Sequence, residues 1–201
     1  MKLDLGYGNP GFLQELWKDH SFLNKLNSLQ LMPYSFAKTN EINLEKEILK
    51  LHNHHKNVKI TSQTKVVVSV GAVQALQAAM YALKQLKNTQ EIFIPKPYWI
   101  RFNDFAELTG LKVSDSTDCG LSLVTSPNNP DGVDQSHIKT DIRDACYNWI
   151  HYTDNVKEFD DTVSVFSLSK LSGHSSTRIG WAIVQDESVA KLMQYYVNII
   201  T

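Results

Sequence analysis

Two basic residues in one polar loop carry the first chemical signal of the chain. Lys170 and Arg178 lie in the stretch Ser167-Leu-Ser-Lys-Leu-Ser-Gly-His-Ser-Ser-Thr-Arg178, between a β-branched run from Thr162 to Phe166 and an apolar run from Ile179 to Val184. A lysine shielded between strands has its charged form disfavoured, and the free amine is a nucleophile. Ser167 and Ser169 offer hydroxyl donors and Arg178 a guanidinium fork, a set that suits a phosphate monoester. A solvated hairpin loop whose basic residues face water would have the same spacing, and the loop alone does not choose between the two.

The elements that would position these groups can be read along the chain. Residues 3–12 are turn-rich, and a helical apolar pattern follows from Phe12 to Leu26. Asn43 is placed to cap a helix running to His52, with Leu44, Ile48, Leu49 and Leu51 as its apolar stripe. His52, His54 and His55 cluster at its end, where imidazoles suit the helix dipole, and they read as solvated rather than as metal ligands. Lys65–Val70 is a buried strand by its continuity. Gly71 ends it, and a helix from Ala72 to Leu86 follows. Strand, glycine, helix start is a geometry that aims backbone N–H groups at an anion, and Gly71 and Ala72 are its candidates.

Glu91–Pro95 is a second strand, and it runs into Lys96-Pro-Tyr-Trp-Ile-Arg-Phe102. An aromatic there, Trp99 in preference to Tyr98, could stack on a flat heteroaromatic ring or simply pack the following helix, Ile100 to Leu108. Leu121–Thr125 is a third strand, followed by the turn-forming Ser126-Pro-Asn-Asn-Pro-Asp-Gly132. Asp144 and Tyr147, taken alone, read as a helix start. Glu187 to Thr201 is an amphipathic helix.

Composition narrows the function classes. The chain has 201 residues, an apolar fraction of 42% and a charged fraction of 20%, ordinary for a globular protein with a core. A net charge of −1 supplies no field for nucleic acid or an anionic membrane. No apolar run approaches the ~20 residues of a membrane span. The N-terminus does not read as a secretory signal, and the two cysteines, Cys119 and Cys146, form no spaced framework. A cytoplasmic protein with reduced thiols is the expectation.

The string Ser-Lys-x-x-Gly-His-x-x-x-Arg-Ile-Gly-Trp-Ala from Ser169 resembles the lysine loop of fold-type I aminotransferases that use pyridoxal phosphate, in the branch holding alliinase and the plant tryptophan aminotransferases. Other motifs arrive in that family's order. Gly-Phe-Leu-Gln-Glu-Leu-Trp-Lys is similar to its N-terminal segment, Ser-Pro-Asn-Asn-Pro-Asp-Gly to its Asn-Pro-x-Gly turn, and Tyr-Asn-Trp-Ile-His-Tyr to its Tyr-Tyr-Trp-Pro-His-Phe. The resemblance implies an α/β fold, a three-layer, mostly parallel sheet with helices on both faces. It implies an N-terminal arm over residues 1–40 and a shortened cofactor-binding domain over 41–201.

It implies pyridoxal 5'-phosphate held covalently by Lys170, with Asp144 on the pyridine nitrogen and Asn129 and Tyr147 on the ring oxygen. Ser167, Ser169, Arg178 and the Gly71–Ala72 turn would hold the phosphate, Trp99 or Tyr98 would stack on the ring, and Tyr34 would reach the phosphate of a partner subunit. The implied reaction moves an amino group from an amino acid, aromatic ones being favoured, to a 2-oxo acid, in a homodimer. An alliinase-type lyase and a non-catalytic relative are the alternatives.

Departures from the family pattern bear on these expectations. Ala72 and Val73 stand where relatives carry hydroxyl residues, a loss of about 1 kcal/mol for each hydrogen bond. The stretch from Asn129 to Asp144 leaves little room for a strand–helix–strand step. Relatives are about twice as long, so the small C-terminal domain and its carboxylate-binding arginine are expected to be missing. Arg101 and Arg143 are the candidates to replace that arginine.

Overall fold

The structure, a computed structural model, describes residues 37–200, with side chains from residue 44 onward. Tyr34 and most of the expected N-terminal arm lie outside the described residues. Five strands form one sheet in the order β1 (Lys65–Val70), β7 (Ile179–Val184), β6 (Val163–Ser167), β5 (Ile142–Asp144), β4 (Leu123–Thr125). Two further strands, β2 (Glu91–Phe93) and β3 (Lys112–Ser114), pair in parallel. A bridge between Phe93 and Ser122, with the Phe93 N–H 2.8 Å from the Leu121 carbonyl, sets β2 beside β4. β4, β5 and β6 are parallel, while β7 runs antiparallel to both its neighbours. The mostly parallel α/β sheet inferred from sequence is therefore the fold observed.

Alternation along the strands sends side chains to two cores. On one face Val67, Leu123, Ile142, Val163, Val165 and Ala182 pack with the helices α2 (Gly71–Lys87), α3 (Arg101–Leu108) and α5 (Glu187–Ile200). On the other face Val66, Phe166, Trp181 and Ile183 meet α1 (Ala37–His55) and the segment that carries Trp149 and Phe159. These are the three layers.

The boundaries of several elements differ from the sequence reading. α1 begins at Ala37, so Asn43 lies inside the helix and does not cap it. The lysine loop is not all loop. Ser167 caps a four-residue helix, α4 (Leu168–Leu171), by accepting the Ser169 N–H at 3.1 Å, and a 3-10 turn covers Ser175–Thr177. Asp144 ends a strand and starts no helix.

The connection from β4 to β5, residues 126–141, contains no helix, as its shortness required. Arg143 staples it instead. Its Nε donates to Asp161 Oδ2 at 2.8 Å, and Nη1 and Nη2 reach the Gln135 and Ile138 carbonyls at 3.2 and 2.5 Å. Both members of this ion pair are buried, and the guanidinium lies 4.6 Å over the Phe159 ring. Nη2 also donates to Asp161 Oδ1 at 3.2 Å, and these partners make the burial tolerable.

Candidate active site

Three loops meet at the carboxyl ends of the parallel strands, the position at which open α/β sheets bind ligands. The first follows β6 and carries Lys170. Lys170 Nζ lies 5.2 Å over the Tyr147 ring, so the lysine loop and the Asp144–Tyr147 turn form one site. Burial lowers the Lys170 ammonium below its ordinary value, and Cys146 and Asp144 oppose that shift. The Cys146 thiol is itself pushed well up by burial, which disfavours its thiolate.

Asp144 is the last residue of β5 and is buried. Burial pushes its carboxyl up, while the Cys146 N–H on Oδ1 at 3.1 Å and the Lys170 charge pull it back. Its register partner across β4 is Thr125, which shares its face of the sheet. The Thr125 hydroxyl is buried and has no partner, which leaves donor capacity beside the carboxylate. Burial and then the Asp144 charge push the Tyr147 phenol above its ordinary value, so it stays a hydrogen-bond donor.

The second wall is the start of α2. Gly71 has φ +76° and opens the helix with no side-chain cap. Ser69 Oγ donates to the Gly71 carbonyl at 3.0 Å, and Gln74 Oε1 accepts the Val70 N–H at 2.7 Å. Arg178 reaches across to this turn: a Cβ on Gly71 would stand 2.6 Å from Arg178 Nη2. Arg178 itself has φ +52°, a left-handed conformation that costs a non-glycine residue on the order of 1 kcal/mol, and Nη1 donates to the Ser175 carbonyl at 3.0 Å. Gly180 makes the approach possible, since a Cβ there would lie 2.3 Å from the Gly71 carbonyl carbon and 2.4 Å from the Ala72 nitrogen. Helix N–H groups and a guanidinium are thus brought together at one turn by two glycines, a set that suits a phosphate.

The third loop is the asparagine turn. Asn128, not Asn129, builds it: Asn128 Nδ2 donates to the Pro97 carbonyl at 2.9 Å and to Asp131 Oδ1 at 2.8 Å. Asn129 is left half-buried on the turn, and the Pro97 contact ties the Tyr98–Trp99 segment beside it. Trp99 meets Phe102 and Phe105 edge-on at 5.7 and 5.6 Å, and the Tyr98 hydroxyl donates to Asn103 Oδ1 at 2.9 Å. Both aromatics pack on α3. The arginines put forward for carboxylate recognition serve elsewhere: Arg143 is spent on Asp161, and exposed Arg101 pairs with Asp104 one turn along α3.

A buried layer behind the site was not read from the sequence. His52 is fully buried, against the expectation of a solvated histidine cluster. Its Nε2 accepts the Trp181 indole N–H at 2.7 Å, and Nδ1 lies 2.6 Å from Asn57 Oδ1. Indole only donates, so Nδ1 carries the proton. Asn57 and Asn148 then exchange side-chain bonds to each other's carbonyls at 3.2 and 3.3 Å. One imidazole therefore links the strand that follows Arg178 to the turn that follows Asp144. None of these four residues carries a local signal for this layer, whereas Gly180 in the cradle does, as a glycine inside a strand pattern. Among the described residues no group of His, Cys, Asp or Glu is arranged to hold a metal.

Comparison with known proteins agrees with this geometry. The family model described as Allinase matches residues 3–201. The chain belongs to the allinase family. It is 30% identical to tryptophan aminotransferase-related protein 3 of Arabidopsis thaliana over 98% of this chain and 49% of that protein. It is 29% identical to an alliin lyase of Allium cepa var. aggregatum over 96% of this chain and 49% of that one. An aspartate aminotransferase structure from Thermotoga maritima shares the fold, with a TM-score of 0.63, 23% identity, and coverage of 78% of this chain and 52% of the other.

The allinase-family chain spans about half the length of the curated relatives it matches. The cofactor of the family is pyridoxal phosphate, and the residues present fit it: a glycine-lined anion cradle, a buried carboxylate beside a donor without a partner, and a shielded lysine. No helix among the described residues is long and apolar enough to cross a membrane.

Proposed function

We propose that this chain carries the cofactor-binding half of an enzyme that moves an amino group from an amino acid, with aromatic ones favoured, to a 2-oxo acid. The observation that carries this reading is the meeting of Lys170, Tyr147 and Asp144 at the ends of the adjacent strands β5 and β6. When bound, pyridoxal phosphate supplies an electron sink for the bond that breaks at the substrate α-carbon. Lys170 Nζ, whose charged form burial disfavours, would hold the cofactor covalently and would then be the group that moves a proton at that carbon. Asp144 would pair with the protonated pyridine nitrogen, and its burial would strengthen that pairing. Asn129 and Tyr147 donate to the ring oxygen.

The phosphate is held by Ser167, Ser169, Arg178 and the N–H groups of Gly71 and Ala72. Trp99 or Tyr98 covers the ring. A cytoplasmic homodimer in which Tyr34 reaches the partner's phosphate completes the proposal. The alliin lyase relatives favour a second reading, elimination at a sulfur-bearing side chain on the same residues. A non-catalytic relative is the third.

The test is the visible spectrum of the purified chain with added pyridoxal phosphate. The expected result is an absorption band absent in Lys170→Ala and altered by an amino acid. An aminated acceptor indicates transfer, whereas pyruvate and ammonia indicate the lyase. A chain with no band, unchanged by Lys170→Ala, would refute both enzyme readings.

A further inference from the structure

Residues 147–152 touch Lys170 at both of its ends. At one end, Lys170 Nζ lies over the Tyr147 ring at 5.2 Å. At the other, His151 Nε2 lies 2.8 Å from the Lys170 carbonyl oxygen. A carbonyl only accepts, so His151 Nε2 carries a proton. The two grips are joined through Tyr152, whose ring sits 4.6 Å from the His151 ring and 5.1 Å, nearly perpendicular, from the Tyr147 ring. The turn is itself anchored. Tyr152 and Thr153 donate their N–H groups to the Trp149 carbonyl at 2.9 and 3.1 Å, and Trp149 is buried against Phe166.

α4 needs such a brace. It has only four residues, and at its end the Ser172 N–H and hydroxyl both donate to the Leu168 carbonyl, at 3.0 and 3.2 Å. A single turn of helix has little stability of its own, and its last carbonyls lie outside the helical ladder. The rotation of that turn decides where the Lys170 amine points.

We propose that His151 is a positioning residue for Lys170. By holding the Lys170 carbonyl it sets the rotation of α4, so that the amine stays above Tyr147 and beside Asp144. Phenylalanine at position 151 would keep the ring packing and lose the bond. Glutamine reaches about as far as Nε2 and keeps a donor. The inference rests on Lys170 being the lysine that holds pyridoxal phosphate.

The test uses the full chain with pyridoxal phosphate itself as probe. Borohydride reduction and peptide mass spectrometry should place the label on Lys170 in the wild type. The cofactor Kd and the pH midpoint of the visible band are then measured for His151→Phe and His151→Gln. His151→Phe should weaken binding about tenfold and displace the midpoint, while His151→Gln should restore both to within about threefold of wild type. If His151→Phe does not fold, the nitrogen-15 shifts of His151 in the wild type give an independent reading, with the Nε2–H tautomer expected. An unlabelled Lys170 would remove the cofactor reading and this inference with it. A labelled Lys170 with a His151→Phe variant that matches wild type, equal losses in both variants at an unmoved midpoint, or an Nδ1–H tautomer would overturn the role of His151 alone.

Discussion

Acidification should strip stability from this fold through one imidazole. Burial lowers the His52 pKa from its ordinary 6.5 to about 4, against the pull of the Asn57 hydrogen bond. The folded state therefore keeps His52 neutral over a range in which the unfolded chain takes up a proton. With the folded value depressed, stability is full above about pH 6.5, falls as pH drops towards 4, and levels off below that. Between pH 7.5 and 4.5 the loss is about 2.5 kcal/mol, a large share of the stability of an ordinary domain. The structure supplies the reason: a protonated His52 could no longer accept the Trp181 indole N–H.

The assay is urea unfolding of wild type and His52→Gln at several pH values. Glutamine can accept the Trp181 bond but does not titrate. The variant should be weaker at pH 7.5 by about 1–2 kcal/mol for the lost Asn57 contact, and its decline to pH 4.5 should be shallower than that of wild type by about 2.5 kcal/mol. Groups that titrate in this window without coupling to His52 are common to both proteins and cancel in the difference, while His55 enters only through its repulsion of a charged His52. Parallel pH profiles would refute the assignment of a buried neutral histidine.

Other substitutions test the cradle, the staple and the amine. Gly180→Ala puts a Cβ 2.3 Å from Gly71 backbone, which cannot be relieved by a rotamer change. It should cost about 1–3 kcal/mol in thermal unfolding and weaken cofactor titration more than tenfold. Asp161→Asn strands the buried Arg143 charge and should destabilise by about 3–5 kcal/mol in urea. Reductive labelling of Lys170 by pyridoxal phosphate should show a pH midpoint below the ordinary lysine value of 10.5, and Asp144→Asn should lower it further by removing a charge that favours the ammonium. A midpoint that rises in that variant would contradict the proximity of the two groups.

What could be read from the chain and what could not divide along physical lines. Local signals were sufficient for β1, whose run of valines cannot be other than a buried strand, and for α2, rich in alanine, leucine and glutamine. They were insufficient for α4, too short to have a periodicity, and for the start of α1, which lies six residues before the expected Asn43 cap. Arg143 could stand as a candidate for carboxylate recognition because one letter does not reveal a partner 18 residues away. His52 was read as solvated because its neighbours His54 and His55 reach the surface, whereas its own side chain points into an aromatic core.

By itself the sequence determined the residue types and their order: an amine, a carboxylate, a guanidinium and a glycine turn, spaced between strand-forming runs. Tertiary structure decided their distances. It set the Lys170 amine over Tyr147, Arg178 against Gly71, and His151 on the Lys170 backbone. These contacts join residues far apart in the chain through sheet register and crossover geometry, which no local propensity encodes. The lysine and the arginine were legible as chemistry, but only the packed sheet made them two walls of one site.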